Sequence, residues 1–229
     1  GEILGIAGLV GAGRTEMVRT LFGLDRATGG AVAVGGDFGP ATPRRRWRQG
    51  VGMVSEDRKQ EGLAVQLSIA DNMTLAHLGG LGPAGLVLPR RQRRACLPWI
   101  DRIPIKCQSA AQPVQALSGG NQQKVALARL LHADADILLL DEPTRGIDVG
   151  SKAQIYELID RLAVEGGGPD GHPKAVVMVS SYLPELLGVC DRIGVMCRGE
   201  LQQIRPVADW DERQLMACAT GQEGASTHD

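Results

Sequence analysis

The run ILLLDEP, residues 137–143, constrains this chain more than any other feature. Four consecutive apolar residues, Ile137 to Leu140, read as a strand buried on both faces, the kind found in a parallel sheet covered by helices. The strand ends in Asp141 and Glu142, so two carboxylates reach the carboxyl edge of the sheet, where open α/β folds bind nucleotides. An acid directly after such a strand suits Mg²⁺, held directly or through water, and an acid one residue on suits proton abstraction from an attacking water. Asp141 is the metal candidate and Glu142 the candidate general base.

Phosphate chemistry also needs a cradle. Residues 8–15, GLVGAGRT, follow the apolar strand Ile3 to Ala7 and precede the helix-compatible TEMVRTLFG, the strand–loop–helix context of a phosphate loop. Gly8, Gly11 and Gly13, with Ala12 between the last two, let successive N–H groups turn toward phosphate beside a helix N-terminus. Arg14 stands where the pattern expects Lys, and Thr15 offers a hydroxyl to Mg²⁺. A glycine turn alone fits a dinucleotide fold as well, but the preceding strand, Thr15 and the distant DEP together point to a nucleoside triphosphate.

A third motif, LSGGNQQK at 117–124, has another job. Ser118 is placed to cap a helix beginning near Gly120, and Gly119 and Gly120, flanked by Leu117 and Asn121, leave backbone N–H groups open as a second anion site. Its position ahead of the DE strand resembles the signature of ATP-binding-cassette (ABC) ATPases. The resemblance covers Gly1 to about Gly221 and is nearest to the second, C-terminal half of tandem-cassette monosaccharide importers of the ribose and galactose type. GLVGAGRTE, VSEDRKQEGL, LSGGNQQKVALAR, DEPTRGIDVG and VSSYLPELLGVCDRI carry it.

What the resemblance implies is specific. The fold is an α/β P-loop ATPase with a mostly parallel central sheet and an inserted α-helical subdomain, and the ligands are ATP and Mg²⁺. Two cassettes pair head to tail around two ATP molecules, each held between one partner's phosphate loop and the other's signature, here Leu117 to Asn121. The implied partners are a second, N-terminal cassette in the same full-length chain, a transmembrane permease, and indirectly a periplasmic sugar-binding protein. The implied location is the cytoplasmic face of a bacterial inner membrane. Asp148 falls in the loop that crosses the dimer interface. Glu56 occupies the position where most cassettes have a Gln that touches Mg²⁺, the water and the membrane-coupling surface, and Ser181 the position of a His that contacts the γ-phosphate.

Arg14 for Lys, Glu56 for Gln and Ser181 for His are departures that cluster on one site. A guanidinium reaches phosphate with a different geometry from an ammonium. Glu56 adds negative charge near Asp141 and Glu142 unless a cation offsets it, and Ser181 cannot be cationic. All three weaken the charge stabilisation on which phosphoryl transfer depends. The expectation is a nucleotide site that binds loosely and turns over slowly, with a signature that completes a partner's site. Two competing readings are a non-hydrolytic regulatory cassette half and a soluble cassette ATPase without a transporter.

Charge excludes one class of partner: 25 basic against 26 acidic residues give a net charge of −1, which offers nothing to a nucleic-acid backbone. No apolar run approaches the ~20 residues of a membrane-spanning helix. The five cysteines and four histidines show no metal-ligand spacing, and the cysteines read as reduced thiols. The chain opens on a strand, without the preceding strand whose aromatic residue stacks on adenine in the family, so an excised domain or a split gene product with weakened adenine binding is expected.

The predicted division places the first part of the ATPase core at 1–67, the helical subdomain at 68–116 and on through the signature helix to about 133, the second part of the core at 134–220, and a disordered tail at 221–229. Within it, 44–49 (RRRWRQ) is expected as a solvated basic helix face. SKAQIYELIDRLAVEG is expected as a helix burying Tyr156, Ile159 and Leu162, and 166–173 as a surface loop.

Overall fold

The structure, a computed structural model, describes residues 1–167 and 171–222. In chain order the elements are β1 (Ile3–Gly8), α1 (Arg14–Phe22), β2 (Ala33–Val34), β3 (Asp37–Phe38), α2 (Pro43–Arg48), β4 (Val51–Val54), α3 (Ile69–Thr74), α4 (Pro89–Arg102), α5 (Gly119–His132) and β5 (Ile137–Asp141). There follow α6 (Val149–Glu165), β6 (Ala175–Val179), α7 (Leu183–Val189), β7 (Arg192–Cys197), β8 (Glu200–Pro206) and α8 (Glu212–Thr220). Six strands form one sheet in the order β4-β5-β6-β1-β7-β8, and the pair β2-β3 stands apart as a small antiparallel ribbon.

All pairings in the large sheet are parallel except β7 with β8. Successive strand residues point to opposite faces, and both faces are covered, which is why these strands are apolar throughout rather than alternating. One face sends Ile6, Met53, Leu139 and Val179 against Val18 and Phe22 of α1. The other sends Ala7, Val54, Leu138, Leu140, Val176, Met178 and Ile193 against α5, α6, α7 and α8. The α/β class with a mostly parallel sheet is as expected.

Between β4 and α5 the chain leaves the sheet. Ser68 and Asp71 close a capping box on α3, and Thr74 and Asp71 of α3 receive the Gln92 amide of α4. Met73, Cys96 and Ile103 carry the apolar contact of these helices into the core cluster that includes α5.

The structure corrects several local expectations. On α6 the buried positions are Ile155, Leu158, Ile159, Leu162 and Ala163, while Tyr156 is half-buried and turns its hydroxyl to Glu185. The basic helix α2 is not wholly solvated: Arg46 is 2% exposed, its Nε donating to Leu21 O and its Nη1 to Gln49 Oε1. The edge strand β8 has no counterpart in the expected elements. Residues 168–170 of the predicted loop and 223–229 of the predicted tail lie outside the described residues.

Candidate nucleotide-binding site

The phosphate loop connects β1 to α1 at the carboxyl edge of the sheet. Gly13 is the N-cap of α1 with φ 94°, a conformation that costs an L-residue energy and costs glycine nothing. A Cβ on Gly8 would stand 2.7 Å from the Met196 carbonyl oxygen, so the loop sits against β7 at a distance only glycine allows. Ala12 is buried and its carbonyl accepts the Gly199 N–H at 2.9 Å, which pins the loop from the far side. Val10, by contrast, is 91% exposed at the crest.

Arg14 and Glu142 face each other across this loop. The Arg14 Nη2 lies 3.4 Å from Glu142 Oε1, and both side chains are largely buried. The second Arg14 nitrogen, Nη1, is buried without a partner. Burial pushes the Arg14 pKa down, while Glu142 and Asp141 push it up. Glu142 adopts φ 46°, an uncommon region for a residue with a Cβ, and its Oε1 also accepts the Ser181 N–H at 2.7 Å. The contact at the position expected for a switch histidine is therefore a backbone one.

Asp141 is fully buried at the end of β5, and among the described residues neither carboxylate oxygen has a hydrogen-bond partner. Burial lifts its pKa to about 6, with Thr15 beside it acting in the opposite direction. A buried, uncompensated carboxylate is costly. A divalent cation between Asp141 and the Thr15 hydroxyl would satisfy both, and the all-oxygen chemistry suits Mg²⁺. The residues present fit the ion.

Glu56 completes the mouth of the cleft and is ion-paired with Arg145. The cleft, about 460 Å³, is lined by the loop from Val10 to Glu16 together with Glu56, Glu142, Arg145 and Ser181. Its two cations, Arg14 and Arg145, are each matched to a carboxylate of the same cleft. The repulsion expected from Glu56 is thus offset within the chain.

Residues Leu117 to Asn121 do not line this cleft. Ser118 is at the N-cap of α5, but its hydroxyl accepts from Asn121 Nδ2 at 2.9 Å instead of capping a backbone N–H, a correction to the expected cap. Asp148 is the N-cap of α6, accepting the Ser151 N–H at 2.9 Å, and hydrogen bonds from Ser151 hold its pKa below the usual carboxylate range.

The family profile described as "ABC transporter" matches residues 1–145. This chain belongs to the ABC transporter family. The ribose import ATP-binding protein RbsA of Geobacillus kaustophilus is 42% identical over 222 residues, covering 96% of this chain but 44% of its own length. A provisionally named ribose/galactose/methyl galactoside import ATP-binding protein of Burkholderia ambifaria is 45% identical over 225 residues, 97% of this cassette and 42% of its own length. The cassette therefore spans less than half the length of these relatives. Among solved structures, the dimeric structure of MJ0796, a bacterial ABC transporter cassette, superposes with a TM-score of 0.73 at 25% identity over 91% of this chain and 87% of that one.

In this cassette the fold brings together the phosphate loop, Thr15, Glu56, Asp141, Glu142 and Ser181, and keeps the signature segment and Asp148 outside the cleft. Sequence reading singled out neither Arg145 nor Arg58. A basic residue between DEPT and GID was visible as a signal for the first. Arg58 had none, because its two acceptors are backbone carbonyls 61 and 87 residues away.

Proposed function

We propose that this cassette is an ATP-binding and ATPase half of a sugar importer, which couples ATP binding and hydrolysis to carbohydrate uptake through a membrane permease. Its own site is degenerate, and its signature, Leu117 to Asn121, completes the ATP site of a second cassette. The observation that carries this is the internal pairing of the cleft: Arg14 is held by Glu142 and Arg145 by Glu56, so bound triphosphate must compete with carboxylates for both cations. Loose binding and slow turnover follow.

Residues 8–15 present their N–H groups to the β- and γ-phosphates at the N-terminus of α1, and Arg14 contributes charge there. Thr15 and Asp141 would hold Mg²⁺, which when bound neutralises phosphate charge. Glu142, oriented by the Ser181 N–H, is the base that takes a proton from the attacking water once Arg14 turns to phosphate. The names of the relatives, which speak of ribose and galactose import, support the sugar class. A groove of about 430 Å³ between α1, α2 and α3, where Phe22, Leu24, Trp47 and Met53 lie beside the charged Arg19, Glu61 and Arg129, offers the permease a mixed apolar and charged seat.

The Glu142–Arg14 pair also supports a second reading, a non-hydrolytic half that only presents its signature. Uptake of labelled ribose, galactose and xylose into liposomes carrying the full transporter tests the main reading. Uptake of at least one sugar that stops without Mg-ATP is expected. ATP turnover that moves none of them would refute sugar import.

A further inference from the structure

Arg58 opens a single π-turn, Arg58–Gly62, two residues after Glu56. Asp57 caps that turn, its Oδ1 accepting the N–H groups of Lys59 and Gln60, each at 3.0 Å. At the other end Arg129 of α5 donates to the Gly62 carbonyl at 2.6 Å. The backbone carrying Arg58 is thus fixed at both ends. From it the guanidinium spreads between two distant loops: Nη1 donates to Gly119 O at 2.9 Å, and Nη2 donates to Arg145 O at 2.8 Å.

One acceptor belongs to the signature turn, the other to the loop that follows Glu142. These loops also touch directly, since a Cβ on Gly119 would lie 3.3 Å from Gly146 O. The side chain of Arg145 meanwhile pairs with Glu56, two residues before Arg58, so the acid loop is tied to this segment twice. A cation beside the N-terminus of α5 opposes the helix dipole, so helix stability does not account for Arg58. A planar fork that holds two carbonyls does.

We propose that Arg58 is a positioning residue that couples the acid loop of this chain's own nucleotide site to the signature turn it presents to a partner. The inference rests on ATP binding at residues 8–15. Phosphate draws Arg14 away from Glu142, the loop bearing Glu142 and Arg145 shifts, and Arg58 carries that shift to Gly119. The element with two arrangements is the acid loop, biased by nucleotide on one side and read by the signature on the other.

Hydrogen exchange followed by mass spectrometry tests this on the chain alone, at a concentration where light scattering shows a monomer, with and without Mg-ATP. In the wild type, ATP slows exchange about threefold or more both at 8–16 and at 117–123. In Arg58→Ala the affinity for ATP stays within about twofold and 8–16 remains protected, but the response at 117–123 is lost. Arg58→Lys keeps the charge but loses the planar fork that spans the two carbonyls, and its response at 117–123 is weakened. A response at 117–123 that persists in both variants overturns the proposal. So does a wild type protected at 8–16 with no response at 117–123. No protection at 8–16 in the wild type overturns ATP binding itself, and the coupling with it.

Discussion

Asp141 is fully buried with no hydrogen-bond partner for either oxygen among the described residues, and burial raises its pKa to about 6. Because the folded state holds this proton more tightly than the unfolded chain does, stability without metal falls as pH rises from the ordinary carboxylate range through about 6. Asp141→Asn removes that penalty. At pH 8 without Mg²⁺ the variant should be more stable than the wild type by about 3 kcal/mol, with little difference at pH 4, in urea unfolding at both pH values. It should also lose the stabilisation that Mg-ATP gives the wild type. The identities of Asp141, Glu142, Arg14 and Glu56 were all legible in the sequence, because motif spacing names positions. Their pairing was not. Arg14–Glu142 and Arg145–Glu56 depend on how far loops from different strands lean across the cleft, which no local pattern encodes.

Among the elements, α5 shows what makes the core cooperative: Val125, Ala126, Leu127, Ala128 and Leu130 are all fully buried, and Gln122, Gln123 and Lys124 are buried with them, so the helix is covered nearly all round. Leu130→Ala should cost about 2–5 kcal/mol in denaturant unfolding with an unchanged m-value. Glu185 of α7 joins three elements, since Oε2 accepts the hydroxyls of Thr144 at 2.7 Å and Tyr156 at 2.9 Å while Oε1 is buried without a partner. Tyr156→Phe should destabilise by about 1 kcal/mol in the same assay, the net worth of a typical hydrogen bond. The buried strands were legible as apolar runs, because two covered faces leave no room for alternation. The strand β8, ELQQIRP, was not: it is an exposed antiparallel edge, and a polar sequence suffices there. The buried face of α6 was read one position off at Tyr156, because tyrosine is apolar in body and polar at its tip.

At the scale of the whole molecule, reactive access reports on global opening. Burial pushes the thiols of Cys96 and Cys190 up to about 12, while Cys107 is only half-buried. With iodoacetamide at pH 8, Cys107 should label first, and Cys96 and Cys190 only at the rate of unfolding. The cassette has a cleft whose cations are internally paired and a signature turn placed outside it. From this we infer unequal roles, with the chain's own site slow and its signature serving a partner. The most direct measurement is steady-state ATPase of the full transporter carrying Glu142→Gln or Ser118→Arg. Near-complete loss of turnover with Ser118→Arg, and retention of most turnover with Glu142→Gln, is the predicted result. Loss of turnover with Glu142→Gln as well would show that this chain's own site hydrolyses ATP in the working cycle, and would contradict the unequal division.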